Sequence, residues 1–205
     1  MWPGLILGVG GSIATGMLVW TLVHGPRCRF GKRCRVAIVG DSLSAHGGYV
    51  SRMAEGLPSY TFDNYSQVGA GTGQILSNLQ RALSSGNRYD EIIIEGGLND
   101  WNRGDEHILN GLESLVRTAK ASGARVVLLS LSPWYRGPQR IVNLNRRLRW
   151  LSLLWGADTF VDIWSPLADS SGALRSDLTS DTAMRIHPHA EGQRVLGEAI
   201  LRGAY

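Results

Sequence analysis

Cysteine is scarce in this chain of 205 residues, which has two. Cys28 and Cys34 cannot build a multi-disulfide framework or supply a four-thiolate zinc site. No grouping of His, Cys, Asp and Glu has metal-ligand spacing, so no metal and no cofactor is expected. Acidic residues are missing from the amino-terminal stretch, and the first is Asp41. Arg27, Arg29, Lys32, Arg33 and Arg35 accumulate there instead. The net charge of +4 and the isoelectric point near 9.4 are therefore a local feature. The rest of the chain is close to neutral, which argues against a nucleic-acid partner. Internal repeats and low-complexity tracts are absent. What is present is 43% hydrophobic and 19% charged sequence, enough to bury one core, which excludes a mainly disordered chain.

Charge is also absent from Trp2 to Val23. As a helix this run would extend about 33 Å, enough for a bilayer core. Trp2 and Trp20 stand near its ends, where interfacial aromatics belong. Gly4, Gly8, Ser12 and Gly16 recur every four residues and give one smooth face suited to helix-mediated self-association. A cleaved signal peptide would need a basic residue before the run and a small-residue cleavage site. No basic residue precedes it, and Ser12-Ile13-Ala14 is a weak match. The reading is an uncleaved single-pass anchor over residues 1–25, a basic linker over 26–34 and one domain over 35–205. The positive cluster favours a cytoplasmic domain, whereas a Cys28–Cys34 disulfide would favour an oxidising compartment. The side of the membrane stays open.

From residue 35 onward, apolar strands alternate with helical stretches. Strands are expected at 35–40, 60–64, 91–95, 125–130 and 159–162. Helices are expected at 49–56, 73–85, 106–121, 138–154 and 190–202. This alternation implies a parallel sheet covered on both faces, with ligands at the carboxyl ends of the strands. The chemistry-bearing residues fall at those ends. Ser42, in Gly40-Asp41-Ser42-Leu43, follows the first strand and could serve as a nucleophile once a base takes its proton. Asn64 leads into the loop Val68-Gly69-Ala70-Gly71-Thr72, where a backbone N–H can approach a substrate oxygen. Asn99, in Gly97-Leu98-Asn99-Asp100, ends the third strand and can donate to an oxyanion. His187, before Pro188 and the last helix, can act as base and then acid. Each is also an ordinary turn, cap or structural residue when taken singly. Their conjunction in one chain order is what carries weight.

In these blocks the chain resembles the SGNH hydrolases, a branch of the GDSL-type serine esterases and lipases, over roughly residues 35–203. Weaker similarities are Ser132-Pro133, Asn143 and Asn145, and Phe160-Val161-Asp162. The resemblance implies a three-layer α/β/α fold of flavodoxin-like kind. It implies ester hydrolysis through a Ser42 acyl-enzyme with His187 as base. It also implies an oxyanion hole of the Ser42 and Gly69 N–H groups and the Asn99 side chain, Gly71 being the alternative glycine. The family usually has an aspartate three residues before the histidine, and here that position is Met184. Asp181 is the candidate acid, Asp177 the less favoured one, and a Ser–His dyad the remaining option. Of the other histidines, His189 reads as a rim residue, His46 as an exposed loop residue and His107 as a helix opener. The arginines at 140, 146, 147 and 149 read as a solvated face that could also meet anionic polymer or lipid headgroups. The expected substrates are small acyl esters, including O-acetyl groups on glycans, or lipid esters. The rival reading is a weakened hydrolase fold serving as a membrane-tethered binding or assembly module.

Overall fold

The computed structural model describes residues 33–181, 183 and 185–205. The expected membrane segment and Cys28 lie outside the described residues, as do Thr182 and Met184. No helix among the described residues is long and apolar enough to cross a membrane. Cys34 is disulfide-bonded.

Five strands form one parallel sheet. They are β1 Cys34–Val39, β2 Tyr60–Asn64, β3 Glu91–Ile94, β4 Arg125–Leu129 and β5 Thr159–Val161, and their order across the sheet is β2-β1-β3-β4-β5. The connections are α1 Ser42–Ala45, α2 Gly48–Gly56, α3 Thr72–Leu83, α4 Asp105–Ala121, α5 Pro138–Trp155, α6 Trp164–Leu167 and α7 Ala190–Ala204, with 3-10 turns at Leu98–Arg103 and Ser176–Leu178.

The apolar runs explain the layers. Successive strand side chains point to opposite faces, so Ala37, Val39, Ile92, Ile94, Val126 and Leu128 pack under α3, α4 and α5. Val36, Ile38, Ile93, Val127 and Leu129 pack under α2 and α7. Both faces are dry, which is why the central strands read as unbroken apolar runs. The result is the expected three-layer α/β/α arrangement.

The strand order reverses direction between β1 and β3, and a crevice opens at such a switch point beyond the carboxyl ends. There, β1 pairs Val39 with Ile94 of β3. The next residues on each strand, Gly40 and Glu95, therefore leave the sheet side by side. Helix ends fit their sequence: Pro138 opens α5 and Gly156, at φ 99°, closes it. α1, α6 and the two 3-10 turns are too short to leave a periodic signal in the sequence.

Candidate active site

Gly40 is small because it must be. A Cβ there would stand 2.6 Å from both Glu95 Oε2 and Ser44 Oγ. Asp41 then caps α1, its carboxylate accepting from the Leu43 N–H at 3.0 Å. Ser42 is thereby the first residue of α1, at the open end of the switch-point crevice. His187 arrives from the loop before α7. Its carbonyl accepts from Thr179 Oγ1 at 2.6 Å, and its neighbour Pro188 is buried. His187 Nε2 lies 3.0 Å from Ser42 Oγ, within hydrogen-bond reach for proton transfer. His46 meets the His187 ring edge-on, with centroids 5.4 Å apart.

The oxyanion candidates converge on the same crevice. Among the described residues neither the Ser42 N–H nor the Gly69 N–H has an acceptor. Gly69 has φ +74°, a left-handed conformation that favours glycine, with open space around its α-carbon. Gly71 has a different use: a Cβ there would come within 2.5 Å of Asp100 Oδ1. Asn99 Nδ2 donates to Asp41 Oδ2 and to the Ala70 carbonyl, both at 3.1 Å. Asn64 braces the floor by donating to the Ser44 carbonyl at 2.8 Å. A cavity of about 200 Å³ joins Ser42, Asn99 and His187 to Trp134, Arg136 and Ile186.

The two candidate acids are placed differently. Asp177 is exposed and pairs with Arg175 at 3.1 and 2.6 Å. That guanidinium holds its carboxyl below the usual range. Asp181 Oδ1 accepts from the Ala183 N–H at 3.2 Å, and its N–H donates to Thr179 Oγ1. No hydrogen bond joins Asp181 to His187, and among the described residues no carboxylate lies within 4.0 Å of the His187 ring nitrogens. The loop between them holds Arg185 at φ 43°, anchored by its 2.6 Å bond to Asp169. Of the remaining histidines, His189 caps α7, its Nδ1 accepting from the Glu191 N–H at 3.2 Å. His107 opens α4's first turn and faces Asp100 at 3.7 Å.

Sequence reasoning missed Glu95. It is fully buried, and its Oε2 accepts from the Asp41 N–H at 3.1 Å and from Ser44 Oγ at 2.8 Å. Burial pushes both carboxyls up, Glu95 further because the Asp41 charge faces it. The available signal was one acid closing the run Ile92-Ile93-Ile94, at a strand end.

The GDSL-like lipase/acylhydrolase family matches residues 30–195 of the chain. No curated protein matches it. Among solved structures, a Streptococcus pneumonia protein named for platelet activating factor is 24% identical, with a TM-score of 0.71 over 96% of this chain and 100% of its own. The esterase EstA of Pseudoalteromonas sp., in a structure inhibited by monoethylphosphonate, is 20% identical, with a TM-score of 0.68 over 82% of this chain and 95% of its own. The acetyl xylan esterase AlAXEase is 16% identical, with a TM-score of 0.66 over 82% and 98%. At these identities the structures speak for the fold.

Proposed function

The chain belongs to the GDSL-like lipase/acylhydrolase family of ester hydrolases, and from that premise we propose that it cleaves acyl esters through a covalent Ser42 intermediate. The observation that carries this reading is the 3.0 Å contact between Ser42 Oγ and His187 Nε2. His187 takes the serine proton as Ser42 attacks the carbonyl, then returns it to the leaving alcohol. Water, deprotonated by the same ring, releases the acyl group. The Ser42 and Gly69 N–H groups receive the oxyanion, and Asn99 joins them by releasing one of its two present acceptors. A donor of this kind is worth about 3–4 kcal/mol of transition-state stabilisation.

The cavity of about 200 Å³ is smaller than the roughly 300–1,000 Å³ of sites for drug-sized ligands. It therefore favours a short acyl group such as acetyl, with the alcohol, a glycan or a lipid, outside. The apolar run at 2–23 would tether the enzyme to a membrane, and alkaline carbonate extraction of the full chain from membranes tests that: release into the supernatant sinks the tether.

Ser42→Ala is expected to abolish p-nitrophenyl acetate hydrolysis while leaving cooperative unfolding intact, and to lose labelling by a fluorophosphonate. Full activity in that variant would remove Ser42 from the role. The absence of a carboxylate against His187 among the described residues favours a second reading, a weakened fold used for binding. A folded wild-type protein that fails to react with the fluorophosphonate would establish that alternative. Asp181 remains the candidate orienting acid on its sequence position. If Asp181 orients the ring, Asp181→Asn lowers kcat by up to about 10⁴-fold, while Asp177→Asn changes little. Equal, small effects would leave a Ser–His dyad.

A further inference from the structure

The helix α5 carries a surface that ester hydrolysis does not use. Among the described residues, five large apolar side chains are exposed, and three of them are Trp150, Leu153 and Leu154, at 69%, 57% and 76%. With Arg146 they stand at i, i+4, i+7 and i+8, which is one face of a helix. Arg147 and Arg149 flank that face on its two sides. The whole helix, PQRIVNLNRRLRWLSLLW, contains four arginines and no acid. Arg140 and Arg147 are paired with Asp105 and Glu106. Arg146 and Arg149 have no carboxylate partner among the described residues, Arg149 lying over the Phe160 ring instead. An exposed Trp and two Leu residues bordered by unpaired cations is the pattern of a helix that lies in a membrane interface.

The position of the face agrees with this. Asn145 brackets the Leu131 backbone just past the carboxyl end of β4, with bonds of 2.8 and 3.0 Å. The helix then runs back, and Asp158 after it bonds Val126 at the amino end of β4. Trp150–Leu154 therefore sits toward the amino edge of the sheet. β1 begins at that same edge, at Cys34, and the basic stretch and the apolar run precede it in the sequence. Ser42, Asn99 and His187 gather at the opposite edge.

We propose that the carboxyl-terminal half of α5 docks on an anionic lipid surface, with Trp150, Leu153 and Leu154 entering the interface and Arg146 and Arg149 meeting lipid phosphates. Ser42, Asn99 and His187, at the other edge of the sheet, take no part in that contact. This does not depend on the catalytic reading.

The test uses the full chain in lipid nanodiscs, with an environment-sensitive fluorophore on Leu154→Cys or, as a control, on Ser51→Cys of α2. Thermal unfolding checks that each variant folds. In discs containing phosphatidylglycerol, the label at 154 should be quenched by nitroxide lipids and shielded from iodide, and the label at 51 should not. Arg146→Gln should lower the docked-to-undocked ratio about fivefold, the effect of one cation near an anionic surface. An iodide-accessible label at 154 in anionic discs overturns the proposal. So does equal shielding in phosphatidylcholine discs, which removes the role of charge. Shielding from iodide without quenching by the nitroxide lipids also overturns it. If that shielding rises with protein concentration the face binds a second copy, and if not, the chain's own apolar run covers it.

Discussion

Glu95 links the sheet to the reacting groups through a chain of single hydrogen bonds. Tyr49 Oη meets Ser44 Oγ at 2.9 Å, Ser44 bonds Glu95, Glu95 bonds the Asp41 N–H, and Asp41 Oδ2 accepts from Asn99. Every member except Asn99 is buried. Glu95→Gln removes the titrating group while its amide oxygen can still accept from the Asp41 N–H and Ser44 Oγ. A carboxyl whose folded pKa lies above its unfolded value near 4.3 stabilises the fold fully below that value. The contribution is lost as pH rises through the folded pKa. Urea unfolding from pH 4 upward should therefore show wild type losing stability relative to Glu95→Gln as pH rises. A constant difference would mean that the Glu95 carboxyl is not raised in the folded state. Gly40→Ala drives a methyl into the same pair and should cost about 1–3 kcal/mol.

At the scale of elements, Asp100 joins the turn after β3 to the start of α3. Its Oδ2 accepts from the Thr72 N–H at 2.6 Å and from Thr72 Oγ1 at 2.8 Å. Asp100→Ala leaves both donors buried without a partner and should cost about 1–3 kcal/mol. It should also lower kcat, because Asn99 and the Gly69 loop lie on the two elements it joins. Normal kcat with reduced stability would confine it to a structural role. Elements of this length were legible in the sequence. Apolar runs such as Ile92-Ile93-Ile94 mark strands, and Val195, Leu196, Ala199 and Ile200 mark a helix face, because burial enforces a period. Ser42 and His187 were legible through the blocks around them, although 145 residues separate them. Glu95 was not. Its partners are set by the Val39–Ile94 register, which pairs strands of distant sequence. The separation of Asp181 from the His187 ring was equally hidden, because no periodic pattern relates those two positions.

Across the whole molecule, the amino edge of the sheet is closed by a buried charge cluster. Arg125 Nη1 bonds Glu91 Oε2 at 2.5 Å, and its Nη2 reaches Thr159 Oγ1 at 2.9 Å and the Ala204 carbonyl at 2.6 Å. Tyr205 Oη donates to the other oxygen of Glu91. One guanidinium thus ties β3, β4 and β5 to the end of α7. Burial pushes the Glu91 carboxyl up even with Arg125 beside it, so desolvation outweighs the attraction. Removing a single partner then strands a buried charge. Glu91→Leu or Arg125→Met alone should each lower stability by about 3–5 kcal/mol. The double variant removes both charges and restores apolar contact, so its loss should be well below the sum and could reverse sign. Urea unfolding of the four proteins measures this coupling. Additive losses would show that the cluster acts through separate contacts. Because the cluster lies at the edge away from Ser42, fluorophosphonate labelling of the folded fraction should be unchanged in all four.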